Sequence, residues 1–174
     1  MNVKLPDTPK VWEPTDRWSV AHSRDLYDID RWGKGYFSIS PDGHVLVHPS
    51  RDPQRFVDLK KLVDTLVLRG IDPPILVRFL EILGVQMGEL RAVFDSAIQE
   101  HGYQGRYVCV YPIKVNQQRH VVEEVYQYGR QFGFGLEAGS KPELLAVSAV
   151  ADNDTPIICN GFKDDEYIEM VMLA

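Results

Sequence analysis

Side chains able to do chemistry stand at the ends of three apolar runs. Lys114 and Asn116 follow Tyr107-Val108-Cys109-Val110-Tyr111-Pro112-Ile113, and Glu137 and Ser140 follow Phe132-Gly133-Phe134-Gly135-Leu136. Asn160, Gly161 and Lys163 follow Pro156-Ile157-Ile158-Cys159. A lysine at the carboxyl end of a strand that feeds a helix occupies the place where α/β barrels keep their reactive groups. A dry environment there depresses an amine's pKa and makes it a nucleophile for a carbonyl. The bland alternative is a solvated lysine at a strand end. Ser140 and Glu143 also have the S-x-x-E spacing of a helix capping box, and Asn160-Gly161 reads equally well as a tight turn. The chemical reading gains weight from the coincidence of three polar strand ends, one of which holds a lysine.

These ends must be positioned by alternating strands and helices. The strand Tyr107–Tyr111 leads to a helix over 118–128 closed by Gly129, then a strand over 132–136, a helix over 141–150, a strand over 156–160 and a helix from about Asp164. Repeats of about 25 residues imply parallel βαβ units with right-handed crossovers, an α/β fold. Upstream, Tyr36–Ser40 and His44–His48 flank Pro41-Asp42-Gly43, a hairpin signal. A helix follows, with Asp58 as N-cap, Leu59, Leu62, Val63 and Leu66 on one stripe, and Gly70 as its stop. After Asp72-Pro73-Pro74 a short strand is expected over 75–79. The longest helix then carries Leu83, Met87, Leu90, Phe94 and Ala97 on its apolar side. Gly84 and Gly88 each weaken it by about 1 kcal/mol relative to alanine, so packing must hold it. His44 and His48 share a strand face, but no cysteine or carboxylate converges on them in sequence, and no metal site is expected.

The chain has 174 residues, 44% hydrophobic and 25% charged, with a net charge of −6. That is a globular composition without the basic footprint of a nucleic-acid partner. No apolar run is long enough for a membrane span, and no signal pattern opens the chain. Cys109 and Cys159 cannot make a disulfide framework and read as small core residues of a reducing compartment, which points to the cytoplasm. Residues 1–30 read as an extended arm with Trp12 and Trp18 isolated in it and a short helix near Ser19–Tyr27. Residues 31–75 hold the hairpin and its helix, and 76–174 the βα units. Three such units cannot bury a parallel sheet on both faces, so further strands are expected. The stop at Met170-Val171-Met172-Leu173-Ala174, without a helix-ending signal, reads as a truncation.

Three segments carry a family resemblance: Val110-Tyr111-Pro112-Ile113-Lys114-Val115-Asn116-Gln117-Gln118, Gly135-Leu136-Glu137-Ala138-Gly139-Ser140-Lys141-Pro142-Glu143-Leu144 and Ile158-Cys159-Asn160-Gly161-Phe162-Lys163-Asp164-Asp165-Glu166-Tyr167-Ile168. Together with Tyr27-Asp28-Ile29-Asp30-Arg31-Trp32-Gly33-Lys34-Gly35-Tyr36-Phe37 upstream, they resemble the opening of the biosynthetic arginine decarboxylases of bacteria and plants. That family lies within the alanine-racemase-like class of pyridoxal-phosphate enzymes. The resemblance implies a TIM-type (β/α)8 barrel, of which 76–174 would supply the first three βα units, and a separate β-domain that takes in the hairpin. It implies that Lys114 holds pyridoxal 5'-phosphate, with Asn116, Glu137, Ser140 and Glu143 around the cofactor and magnesium as a further cofactor. Glu137 and Glu143 match the acid-x-x-Ser-x-x-Glu segment of relatives acting on ornithine. A carboxylate there would favour a protonated nitrogen on Lys114. The implied reaction turns L-arginine into agmatine and CO2 for polyamine synthesis, in a homo-oligomer (dimer or tetramer). Ornithine, lysine and diaminopimelate remain open as substrates, as does a non-catalytic regulatory homologue that binds pyridoxal phosphate. The family's phosphate loop and the acid that pairs with the pyridine nitrogen belong to later segments.

Overall fold

A computed structural model describes residues 17–174. Trp12 and the first part of the expected arm lie outside the described residues. The chain divides into two compact units, one ending at Val77 and one running from Arg78 to Ala174.

In the first unit, α1 (Val20–Leu26) is capped by Ser19, whose side chain accepts from His22 N, and α2 spans Ile29–Gly33. The expected hairpin forms from β1 (Phe37–Ile39) and β2 (Val45–Val47), antiparallel with Ser38 opposite Leu46. Gly43 turns it at φ +83°, a conformation glycine adopts without strain. A short β3 (Val57–Asp58), too brief to show in the sequence, adds a third antiparallel strand beside β2. Asp58 then caps α3 (Leu59–Leu68) by accepting from Lys61 N. His44 and His48 go to different partners. His44 Nδ1 lies 2.9 Å from Asp58 Oδ2, and His48 Nε2 lies 2.7 Å from Ser38 Oγ. A carboxylate therefore does reach His44, from a residue fourteen positions away.

The second unit opens with α4 (Glu81–Glu100) and continues through β4 (Val110–Pro112), a 3-10 turn (Ile113–Val115) and α5 (Arg119–Arg130). It then runs through β5 (Gly135–Ala138), α6 (Lys141–Ser148), β6 (Ile157–Cys159) and α7 (Asp165–Leu173). The strands are parallel in the order β4-β5-β6, with Pro112 beside Glu137 and Glu137 beside Ile158. Leu136 and Ala138 face the helices and join Ile113, Val122, Leu144, Val147 and Tyr167 in one buried cluster. On the opposite face of the sheet Ile158 is 48% exposed.

The local expectations need four corrections. Residues 75–79 form no strand, and Leu76 stands exposed. The first parallel strand starts at Val110 rather than Tyr107. The Tyr107 ring stacks on Phe94 of α4 with centroids 3.8 Å apart, and its carbonyl accepts from Arg91 instead of a ladder partner. Gly129 does not end α5. The helix runs one residue further, to Arg130, and is closed where Phe134 N donates to Gly129 O and Gly133 N to Arg130 O around Gly133 at φ +67°. That is a Schellman closure, and it takes up residues 132–134. The second strand accordingly begins at Gly135 rather than Phe132. Cys109 and Cys159 are both half-buried and unbridged, on β4's approach and on β6, with β5 between. Among the described residues no helix is long and apolar enough to cross a membrane.

Candidate functional site

The carboxyl ends of β4, β5 and β6 lie side by side, as the parallel register requires. Beyond β4, Ile113 is sunk into the core and Lys114, the next residue of the turn, is exposed. The loop is tied back by the Tyr111 hydroxyl, which donates to Asn116 O at 3.2 Å. Burial raises the pKa of that phenol. The Asn116 side chain accepts from Gln118 N at 3.0 Å and so shapes the turn into α5.

At the end of β5, Glu137 is half-buried and its Oε1 accepts from Asn160 Nδ2 at 3.2 Å. Ser140 and Glu143 form the cap their spacing allows. Ser140 Oγ accepts from Glu143 N at 3.4 Å, and Glu143 Oε2 accepts from Gly139 N at 2.6 Å. The glutamate reaches one residue further back than in the usual box. At the end of β6, Asn160 N and the Tyr167 hydroxyl both donate to Ala138 O at 2.9 Å. Tyr167, 1% exposed, fastens α7 under the strand ends, and burial raises its phenol pKa. Its place on α7 gives no sequence signal for this role.

The lysines differ in their surroundings. Lys141 bridges Asp164 at 2.8 Å and Glu166 at 2.5 Å, and its pKa is raised, foremost by Asp164. Lys163 donates to Gly161 O at 2.7 Å. Lys114 makes no ion pair or side-chain hydrogen bond among the described residues. The register therefore brings Lys114, Glu137 and Asn160 to one edge of the sheet, although no ion pair joins Lys114 to Glu137. Asn116, Ser140 and Glu143 are occupied in shaping the backbone.

An uncommitted primary amine with a nearby carboxylate suits attachment of an aldehyde, so this donor set fits the carbonyl end of pyridoxal phosphate. The starts of α6 and α7 do not offer a phosphate seat. The start of α6 is filled by Glu143, and Asp164, with its pKa lowered foremost by Lys141, caps α7 by accepting from Tyr167 N at 2.8 Å. No group of three His, Cys, Asp or Glu residues that could hold a metal occurs among the described residues.

A parallel α/β sheet with a lysine at its carboxyl edge defines a class, and comparison with known proteins identifies it. Residues 87–174 match the family model of the pyridoxal-dependent decarboxylase pyridoxal binding domain, and the chain belongs to that family. It is 55% identical over 158 residues to the biosynthetic arginine decarboxylase of Rhodopirellula baltica, covering 91% of this chain and 24% of that protein. Identity with the enzyme of the same name from Geotalea uraniireducens is 49% over 160 residues, covering 91% and 25%. Among solved structures, the biosynthetic arginine decarboxylase of Campylobacter jejuni matches with a TM-score of 0.75 at 36% identity, covering 83% of this chain and 24% of that one. The chain thus spans about a quarter of the length of the curated relatives it matches.

Proposed function

We propose that this chain is the opening quarter of a pyridoxal-phosphate-dependent arginine decarboxylase that turns L-arginine into agmatine and CO2 for polyamine synthesis. The observation that carries the reading is Lys114, exposed and without a partner at a strand end inside the family-matched segment. The relatives named above, at 49 to 55% identity, are arginine decarboxylases, which supports arginine over ornithine, lysine or diaminopimelate. In this reading residues 76–174 are the first βα units of a (β/α)8 barrel, and the hairpin segment 31–75 belongs to a separate β-domain behind the arm 1–30. The complete protein would be a cytoplasmic homo-oligomer.

Lys114 would hold the cofactor's aldehyde carbon through its ε-nitrogen, and Glu137 would face the cofactor from the neighbouring strand. Pyridoxal phosphate, when bound, supplies an electron sink for the pair released as the carboxylate leaves. Asn116, Ser140 and Glu143 would act indirectly, by fixing the loops in which Lys114 and Glu137 stand. After CO2 departs, the Lys114 amine can return a proton to the substrate's α-carbon. The test is Lys114→Ala in the complete protein, assayed by release of CO2 from carboxyl-labelled arginine, with ornithine and lysine in parallel. Loss of release is expected, and normal turnover would overturn the assignment.

A further inference from the structure

We propose that Asn160 is a positioning residue for Glu137: its side-chain amide holds one carboxylate oxygen and so sets how that carboxylate is presented on the open face of the sheet. This rests on the reading above that Glu137 faces the cofactor.

The register makes the pair. Glu137 is opposite Ile158, and residues two apart on a strand share a face, so Asn160 continues the face that carries Glu137 and Ile158. Asn160 is the residue just beyond the end of β6, yet its backbone is held as firmly as the strand. Its N–H donates to Ala138 O at 2.9 Å, and that carbonyl also accepts from the buried Tyr167 hydroxyl at 2.9 Å. Gly161 lies so close to the Gly139 carbonyl that a Cβ would collide with it. The two strand ends are thereby joined backbone to backbone, and the amide of Asn160 is delivered to Glu137 Oε1 at 3.2 Å.

The alternative explanation of an Asn-Gly pair does not apply here. Asn and Gly are favoured in tight turns because they tolerate positive φ. Neither Asn160 nor Gly161 is among the positive-φ residues. Close approach to Gly139 explains the glycine, and nothing in the backbone at 160 calls for asparagine. What asparagine adds is its side-chain donor. Glu137 makes no ion pair among the described residues, so this neutral donor is the partner the structure gives its carboxylate. An amide can hold a carboxylate in place without neutralising it, which a lysine or arginine at the same position would do.

The experiment is a double-mutant cycle in the full-length protein carrying this segment, with Asn160→Ala, Glu137→Ala and the pair. Three quantities are read: the pyridoxal-phosphate dissociation constant from the absorbance of bound cofactor, kcat and KM for arginine, and the thermal midpoint as a folding control. Loss of a hydrogen bond to a charged group predicts a roughly tenfold effect of Asn160→Ala on cofactor affinity or kcat. In the Glu137→Ala background the same change should have little further effect, because nothing remains to be positioned. Losses that multiply instead would mean that Asn160 acts only through the turn, and would overturn the proposal while leaving the role of Glu137 intact. A silent Glu137→Ala would overturn the cofactor-facing role of Glu137 and this proposal with it. If Asn160→Ala does not fold, Asn160→Asp, nearly the same shape with the donor replaced, must show the same loss, and wild-type behaviour in that variant would overturn the proposal.

Discussion

Lys114, Lys141 and Lys163 are the same side chain in three settings, and their settings set what each can do. Lys141 is held by two carboxylates and joins the starts of α6 and α7, while Lys163 is spent on the Gly161 carbonyl. The carboxylates around Lys141 keep it protonated and make it a poor nucleophile, whereas Lys114 makes no ion pair or side-chain hydrogen bond among the described residues that would tie its amine away from a carbonyl carbon. Borohydride reduction of the cofactor-loaded complete protein, followed by peptide mapping, should therefore place the pyridoxyl mass on the peptide containing Lys114. A label on Lys141 or Lys163 would refute the assignment. Lys114→Arg keeps the charge but has no amine to offer, and should take no label. The position of Lys114 is legible in the sequence because a strand end followed by a helix is a local pattern. Its lack of partners is not, since that depends on where distant carboxylates fall. The same contrast separates the Ser140–Glu143 cap, whose members are three residues apart, from the Asn160–Glu137 bond across 23 residues.

The helices were easier to read from the chain than the strands, for a physical reason. A helix closes its hydrogen bonds locally and can mark its start with a cap, so Asp58 and Ser140 cap the helices their sequence signals mark, and Ser19 and Asp164 cap helices expected to begin near them. A strand needs a partner elsewhere: residues 75–79 and 107–108 form no ladder, and Cys109 joins β5 only through its carbonyl, which accepts from Gly135 N at 2.8 Å. Glycines show the same divide. Gly84 lies against the Tyr128 ring of α5, where a Cβ would collide, whereas a Cβ at Gly88 would meet Phe132 at an ordinary 3.8 Å. Gly84→Ala should thus destabilise the protein by about 1–3 kcal/mol despite alanine's better propensity, because overpacking outweighs it. Gly88→Ala should stabilise it by up to about 1 kcal/mol. Chemical denaturation of the two variants decides, and equal effects of the same sign would contradict the α4–α5 packing. The caps also fix a pH response. Asp164, held below its ordinary pKa foremost by Lys141, and Asp58, foremost by the bond with His44, bind protons more readily in the unfolded chain than in the folded one. Stability then rises with pH across that interval. Their contribution is complete above the unfolded value of about 4 and is lost as pH falls through the lowered folded value. Asp164→Asn should flatten the acid limb of the denaturation midpoint against pH, and an unchanged limb would show that the Lys141 bridge does not form in solution.

At the scale of the molecule, the second unit is a parallel sheet with one face covered. Leu136 and Ala138 are buried against α5, α6 and α7, while the other face carries Glu137 and the half-exposed Ile158. Parallel sheets are stable when both faces are covered, and a strand whose outer edge is unpaired is a template for association. Among the described residues β6 pairs with β5 alone, and beyond it Phe162, Met172 and Leu173 stand 81 to 89% exposed. In the proposed reading the site has the same one-sided character: Lys114 and Glu137 would meet one end of pyridoxal phosphate, while the starts of α6 and α7 are occupied by their own carboxylates, Glu143 and Asp164. A ligand held at one end keeps rotational freedom, and loss of CO2 requires the breaking bond to be held in a fixed orientation. The 174-residue chain expressed alone should therefore bind a hydrophobic dye and associate with itself. With added cofactor it should show at most a weak, dialysable label on Lys114 and release no CO2 from labelled arginine. Size-exclusion chromatography, dye fluorescence and the labelled-arginine assay on one preparation test this together. A dye-silent monomer that unfolds cooperatively and decarboxylates arginine would mean that the open face and the β6 edge need no further cover.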